Sequence, residues 1–352
     1  MSDSQASAPL APWLQDQLQA LMQQRGHALL LSGPPGLGQY ELAYALAKYW
    51  LCDEPTQTGA CGHCSACHSV DVRTHPDLHV LMPETVAPGL NWPLPAAAQD
   101  AIDKKERKPS RWIRVDAARS AVAFTQMTRA RARHQVVLVY PAQRLNVESA
   151  NTLLKTLEEP PGDVRFVLAT EAAHMLLPTI RSRCLTHNMV WPDTHTCTQW
   201  LSTAVEPVPS AQAAATWLRA AGGRPMDALT WAALGLSAAQ WSGLPKAVAA
   251  GNLGAMQDWD AAVILDTLQK IAHDTQAVWV GASPRFFEAT DLPALPHLRT
   301  LEQWAQRLSS WRRTVEHPYN AGLQTEAWMA DAAMVFAPAA KSARPARVGA
   351  HA

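Results

Sequence analysis

An α/β module followed by an all-α remainder is the architecture predicted by this 352-residue sequence. Two patterns carry that expectation. Up to about residue 190, short apolar runs alternate with amphipathic stretches, as in a parallel sheet covered by helices on both faces. Beyond Trp191-Pro192 the text turns almost wholly helical and rich in Ala, Leu and Trp. A third observation locates the centre of the module. A glycine frame, Gly33 and Gly38 with four residues between them, stands between an apolar run and a helix-like segment.

Residues 12–25 place Leu14, Leu18 and Leu21 on one face of a helix. His27 to Leu30 is the first strand, and Glu41 to Leu51 the helix after the glycine turn. Cysteines then cluster over 52–67. Leu78 to Met82 is a short strand. Residues 83–111, rich in proline and then in charge, predict an exposed flexible loop. Trp112 to Val115 reads as a strand, and Asp116 as the cap of a helix running to His134. Val136 to Val139 has the unbroken apolar character of a strand buried on both faces, and Val164 to Ala169 reads as another buried strand. Between them Asn146 to Glu159 is a helix ended by Pro160-Pro161-Gly162. The expected divisions are an α/β module over 1–190, a small helical domain over 191–245, a further helical domain over 246–340 and a loose tail over 341–352.

Composition narrows the function classes. Hydrophobic residues make up 48% of the chain, which is globular text. Thirty basic residues balance thirty acidic ones, so the chain is not a free-standing, charge-driven nucleic-acid binder. No apolar run is long enough to span a bilayer and the first residues carry no basic or apolar leader, so a cytoplasmic location with no membrane partner is expected. In that compartment six cysteines suggest metal ligands or buried thiols rather than disulfides.

The frame Gly33-Pro-Pro-Gly36-Leu-Gly38-Gln39-Tyr40 is that of a phosphate-cradling P-loop, G-x-x-x-x-G-K-[ST]. The lysine that would reach the phosphates is Gln39, and the hydroxyl that would hold magnesium is replaced by Tyr40. The strand Val136 to Val139 should end in the acids that serve a P-loop ATPase, yet it runs into Tyr140-Pro141. One site has thus lost its chemistry twice. Cys52, Cys61, Cys64 and Cys67, spaced C-x8-C-x2-C-x2-C, can close a four-thiolate zinc shell. That shell leaves no open position and is therefore structural. An iron–sulfur cluster fits less well, because the bacterial run needs a fourth cysteine after x3. His63 and His68 flank the cluster as substitute ligands or exposed neighbours. Arg129, Arg131, Arg133 and the basic stretch 104–114 read as a solvated face that could touch DNA. The tryptophans at 191, 200, 217, 231, 241 and 259 read as core or interface.

The run Asn151-Thr-Leu-Leu-Lys-Thr-Leu-Glu-Glu-Pro-Pro161, a strand ending Leu168-Ala169-Thr170, and Arg181-Ser182-Arg183-Cys184 together resemble the clamp-loader branch of the AAA+ ATPases. With the altered P-loop and the four-cysteine insert, they resemble in particular the delta-prime subunits of bacterial DNA polymerase III. The resemblance covers residues 1 to 190 with specific motifs, and the helical remainder in length and layout only. It implies an AAA+ module, a lid and a C-terminal collar domain. It implies a hetero-pentameric clamp loader with gamma/tau-type ATPase subunits and a delta-type subunit, which places a sliding clamp on primer-template DNA. In that family an arginine of the Ser-Arg-Cys motif reaches a neighbour's ATP, a role that falls here on Arg183. No ATPase activity or bound ATP of its own is implied, although the chain would be part of a polymerase holoenzyme. Met226 takes the slot of the family's second sensor arginine, Arg224 lies two positions away, and Thr170 holds the first sensor position. The competing expectation is an ATP-hydrolysing motor subunit of the same loader, which would need lysine at position 39.

Overall fold

The computed structural model describes residues 10–131, 133–294, 297–312 and 321–337. The expected tail, 341–352, lies outside them. The chain divides into two compact units. The first comprises the residues up to Ala204 together with Arg224–Met226, and the second Val205–Gly223 and the residues from Asp227 on.

The first unit begins with α1 (Pro12–Met22), β1 (Ala28–Ser32), α2 (Gln39–Leu51), α3 (Ser65–Asp71) and β2 (Leu78–Leu81). It continues with α4 (Ala96–Asp103), α5 (Val115–Thr125), β3 (Gln135–Val139), α6 (Val147–Glu158) and β4 (Val164–Thr170). It closes with α7 (Pro178–Arg181), β5 (Leu185–Asn188) and α8 (Thr194–Ala204). The five strands pair in parallel in the order β2-β3-β4-β1-β5. This is the parallel, doubly covered sheet the apolar runs foretell. Because side chains alternate across a strand, Leu29, Leu31, Val136, Leu138, Val167 and Ala169 pack with α1 and α2 on one face. Leu30, Val137, Val139, Phe166 and Leu168 pack with α5 and α6 on the other.

Four local expectations are corrected. Trp112–Val115 is not a strand: only Ile113 bridges, to Leu145, and helical geometry starts at Val115. The helix begun there ends at Thr125 rather than His134, with Arg114 at its N-cap. Beyond it the chain forms a loop clamped by Asp77, whose carboxylate accepts the amides of Ala130 (2.8 Å) and Arg131 (2.9 Å). Residues 83–111 are not a loose loop. They contain α4, and Glu84 takes a two-point ion pair from Arg107 at 2.5 and 2.7 Å. Charged text here signals an internal clamp, which composition alone does not distinguish from solvated charge. Finally, β5 has no counterpart among the expected strands, since Leu-Thr-His-Asn at a sheet edge is mostly exposed and carries no apolar run.

The second unit is helical: α9 (Ala211–Ala220), most of α10 (Pro225–Ala233), α11 (Ala238–Ala249), α12 (Ala261–Trp279), α13 (Leu298–Arg312) and α14 (Ala321–Phe336). Its core is aromatic. Trp231 meets Trp241 and Trp259 edge-on at 5.2 and 5.4 Å, and Trp241 stacks on Phe287 at 4.5 Å. The buried carboxylate of Asp274 accepts the backbone amides of Arg285, Phe286 and Phe287 and so pins that loop to α12. The expected lid boundary at 245/246 falls within α11, one continuous helix.

Candidate functional site

The glycine loop is closed by its own side chains. Gly36 and Gly38 take left-handed backbone at φ 81° and 96°, which turns the chain from β1 into α2. Gln39, in the lysine position, is buried, and its amide donates back to the carbonyls of Gly33 (2.9 Å) and Pro34 (2.5 Å). Two further loop carbonyls are also engaged. Trp13 Nε1 donates to Leu37 (3.0 Å), and the amide of Met226 donates to Gly36 (3.0 Å). Leu14 and Met226 close over Gly38 so tightly that a Cβ there would sit 2.7 Å from Leu14 Cδ1 and 3.0 Å from Met226 Cε. Met226 thus enters the loop region as an apolar side chain and a backbone donor, whereas Arg224 belongs to the same unit without taking that position.

Tyr40, at the magnesium-binding position, is the hub of an aromatic cluster. Its hydroxyl accepts from Trp92 Nε1 (2.6 Å), and its ring stacks on Tyr44 (5.9 Å) and tilts against Tyr140 (5.3 Å). The guanidinium of Arg73 lies over Tyr44 (4.3 Å) and Trp92 (4.7 Å). Burial pushes the Tyr40 phenol above its ordinary range, and does the same to the carboxyl of Glu41. Tyr140 stands where an acid would hold magnesium and donates instead to Glu171 (3.2 Å). Thr170 Oγ1 donates to Gln143 Oε1 (2.7 Å). Trp13, Tyr44, Arg73, Trp92 and Glu171 belong to this region and were missed by sequence reasoning. Trp92 lies in proline-rich text that reads as loop.

The four cysteines converge as their spacing suggests. Cys52 Sγ lies 3.5 Å from Cys61, 3.8 Å from Cys64 and 3.6 Å from Cys67, and Cys61 lies 3.9 Å from Cys67. A tetrahedron with metal–sulfur bonds of about 2.3 Å has edges of about 3.8 Å, so the four sulfurs fit a zinc-sized ion. The amides of Cys61, Cys64 and Cys67 point at the sulfurs of Cys52, Cys61 and Cys64, at 3.3, 3.4 and 3.4 Å. Burial acts to raise the Cys64 thiol, but the amides of Cys67 and Asp53 and the adjoining thiols outweigh it and bring it to about 6. Cys52 and Cys67 are pushed up, chiefly by burial. The cluster is therefore a set of donors that a cation would deprotonate fully. His63 is exposed and close to Cys61 and Glu54, and His68 is exposed.

Arg183 stands just after α7, its backbone fixed between the fully buried Ile180 and the half-buried Cys184. Burial pushes the Cys184 thiol up to about 12, so it serves as packing. The Arg183 guanidinium, part-exposed, donates through Nε (3.0 Å) and Nη2 (2.8 Å) to Glu158 Oε2 and through Nη1 (3.0 Å) to the carbonyl of Thr179. Two of the arginines read as a possible DNA face are tied down locally. Arg129 pairs with Asp163 (2.8 Å), and Arg131 reaches Asp53 (3.4 Å) and the hydroxyl of Ser65, clipping its loop to the cysteine knuckle.

The sequence profile described as "DNA polymerase III, delta subunit" matches residues 11–191, which hold the glycine loop, the knuckle and Arg183. DNA polymerase III subunit delta-prime of Pseudomonas aeruginosa is 38% identical over 223 residues, 63% of this chain and 61% of that protein. The Escherichia coli delta-prime subunit is 33% identical over 279 residues, 74% of this chain and 76% of that protein. The chain belongs to the delta-prime family of DNA polymerase III subunits. The match thus spans somewhat under two thirds of the Pseudomonas relative and about three quarters of the Escherichia coli one. The tau subunit of Escherichia coli is 33% identical over 159 residues, 45% of this chain and 21% of that protein. Among the described residues, no helix of this delta-prime family member is long and apolar enough to cross a membrane.

Proposed function

We propose that this chain is the non-hydrolysing member of a clamp loader and acts on ATP only across an interface. The observation that carries the reading is the Gln39 amide bonded to the carbonyls of Gly33 and Pro34 inside the glycine loop. A loop that binds phosphate offers backbone N–H groups and a lysine. Here a neutral side chain fills the lysine position and spends its donors on the loop itself. Tyr40 and Tyr140 replace the magnesium ligands with a packed aromatic cluster. No turnover of ATP at this loop is then expected.

Arg183 is the group proposed to act in trans. A part-exposed guanidinium on a buried backbone anchor can stabilise charge on a phosphoryl group held by a neighbouring subunit. The partners this requires are gamma/tau-type ATPase subunits and a delta-type subunit in a hetero-pentamer. Through that complex the chain would serve a sliding clamp and primer-template DNA in the cytoplasm. The similarity to a tau subunit supports a shared ancestry of ring members. The ion proposed for the knuckle is zinc, held by Cys52, Cys61, Cys64 and Cys67 and structural in role. It would lock the 52–67 insert and, through Asp53 and Ser65, the Arg131 loop.

Two measurements test the reading. The isolated chain, titrated with magnesium-ATP, is expected to show neither micromolar binding nor turnover; either result would overturn it. In the loader assembled with its own ATPase subunits, Arg183→Ala is expected to lower ATP turnover about 10³-fold or more. An unchanged rate removes the finger role.

A further inference from the structure

The side chain of Arg183 is not loose, and what holds it leaves it usable. A guanidinium has five N–H bonds. The one on Nε and one on Nη2 go to Glu158 Oε2, and one on Nη1 goes to the Thr179 carbonyl. Two remain, one on each terminal nitrogen, and these form the fork that suits an anionic oxygen. Glu158 therefore takes the flank of the guanidinium and spares its tip. The carboxylate sits at the last residue of α6, a helix fixed to the core by the buried Ala150, Leu153 and Leu157. The Thr179 carbonyl comes from α7, which is anchored by the fully buried Ile180. Two separately anchored elements thus meet on one flexible side chain. An arginine otherwise carries substantial rotamer freedom, which it must give up to contact a transition state.

We propose that Glu158 is the positioning residue of Arg183: it orients the guanidinium before the neighbouring nucleotide arrives, and it acts only through that arginine. This rests on the trans-acting role proposed for Arg183. A single carboxylate oxygen accepts both bonds, so the acceptor matters rather than bidentate geometry, and the neutral amide oxygen of glutamine can replace it. A carboxylate one methylene shorter cannot reach from the same backbone. Because Glu158 is more than half exposed, its loss leaves the fold intact.

The test uses the assembled loader, with ATP turnover measured at saturating and subsaturating ATP. Glu158→Ala is expected to lower kcat about two- to fivefold at unchanged KM, the range that an exposed pair of this kind supplies. Glu158→Asp is expected to match the alanine variant, and Glu158→Gln to recover most of the loss. Adding Glu158→Ala to Arg183→Ala is expected to have no further effect, since the two share one path. A wild-type kcat for Glu158→Ala, a change in KM alone, or an additional loss in the double variant each overturns the positioning role. If Arg183→Ala falls steeply while Glu158→Ala does not, only the positioning role fails. If Arg183→Ala has no effect, the trans-acting reading fails and this one with it.

Discussion

Putting the missing side chains back should not rebuild a nucleotide site. Consider the double variant Gln39→Lys, Tyr40→Thr, which restores G-x-x-x-x-G-K-T. Losing the Tyr40 ring from a packed aromatic cluster costs about 3 kcal/mol. The part-buried Trp92 N–H, left without its acceptor, adds about 1 kcal/mol. The new lysine enters a site only 2% exposed and can donate to the same two carbonyls as Gln39, which turns it away from any phosphate. Binding is opposed further. A micromolar site is worth about 8 kcal/mol. Opening the loop means moving the fully buried Leu14, about 2 kcal/mol, and the part-buried Met226, about 1 kcal/mol. It also means breaking the Trp13–Leu37 and Met226–Gly36 hydrogen bonds, about 1 kcal/mol each. What remains corresponds to a dissociation constant weaker than about 1 mM. Calorimetric titration of the variant with magnesium-ATP, alongside a circular dichroism spectrum showing a native fold, makes the measurement. Micromolar binding by the folded variant would refute the reasoning, because closure by Leu14, Met226 and Trp13 would then be irrelevant.

Chain purified with zinc present should carry one ion per molecule by elemental analysis, and Cys67→Ser, removing a fully buried sulfur, should abolish that ion and lower the melting temperature. An unchanged zinc content would exclude the four-sulfur site. Acid should destabilise the first unit before its ordinary carboxylates titrate. Burial depresses the folded-state values of His75, His79, His134 and His187 below the ordinary value of about 6.5. Below about pH 6.5 the unfolded chain binds protons that the folded chain refuses, so stability is full above that pH and falls as pH drops towards the folded values. The urea midpoint should fall between pH 7.5 and 5.5, and His79→Phe, placed against Phe124 (5.3 Å), should flatten the slope; a parallel slope would clear His79. Asp274→Ala should destabilise the second unit by about 3–5 kcal/mol in urea unfolding, since three backbone N–H groups lose a charged acceptor. A loss under about 1 kcal/mol would mean water replaces the carboxylate.

The sheet was legible wherever a strand is buried on both faces. Four successive residues of β3 (Val136–Val139) and four of β4 (Phe166–Ala169) are apolar because both core layers draw on them, and α6 between them shows one apolar face. β5 was invisible because an edge strand with three exposed residues leaves no periodic signal. The 83–111 segment misled for a different reason. Proline and charge lower local hydrophobicity, but Glu84, Arg107 and Trp92 make long-range contacts that no window of sequence contains. The site divides the same way. Cysteine spacing encodes a local knuckle, so the four sulfurs could be named. The stacking of Arg73 between Tyr44 and Trp92 joins residues up to 48 positions apart, and nothing local announces it.

The persistence of the glycine frame has a physical cause that needs no phosphate. Gly38 has a φ of 96°, and a side chain there would be strained even in open space. The space is not open, since Leu14 Cδ1 and Met226 Cε already press on it. Gly33 is confined as well: a Cβ would lie 3.0 Å from that of Met189, whose amide continues the β1–β5 pairing through Ser32. Glycine is therefore required at 38 by the way α1 and the start of α10 converge on the turn, and position 33 is tightly confined beside the end of β5. The lysine and hydroxyl positions carry no such requirement. Nothing in the packing needs a charge at 39 or a small alcohol at 40, and larger uncharged side chains there gain burial and hydrogen bonds. The retained glycine frame and the side chains closed over it are two results of one packing arrangement. Arg183 lies outside that arrangement, anchored through Ile180 and Glu158, so the closing of the loop places no constraint on it.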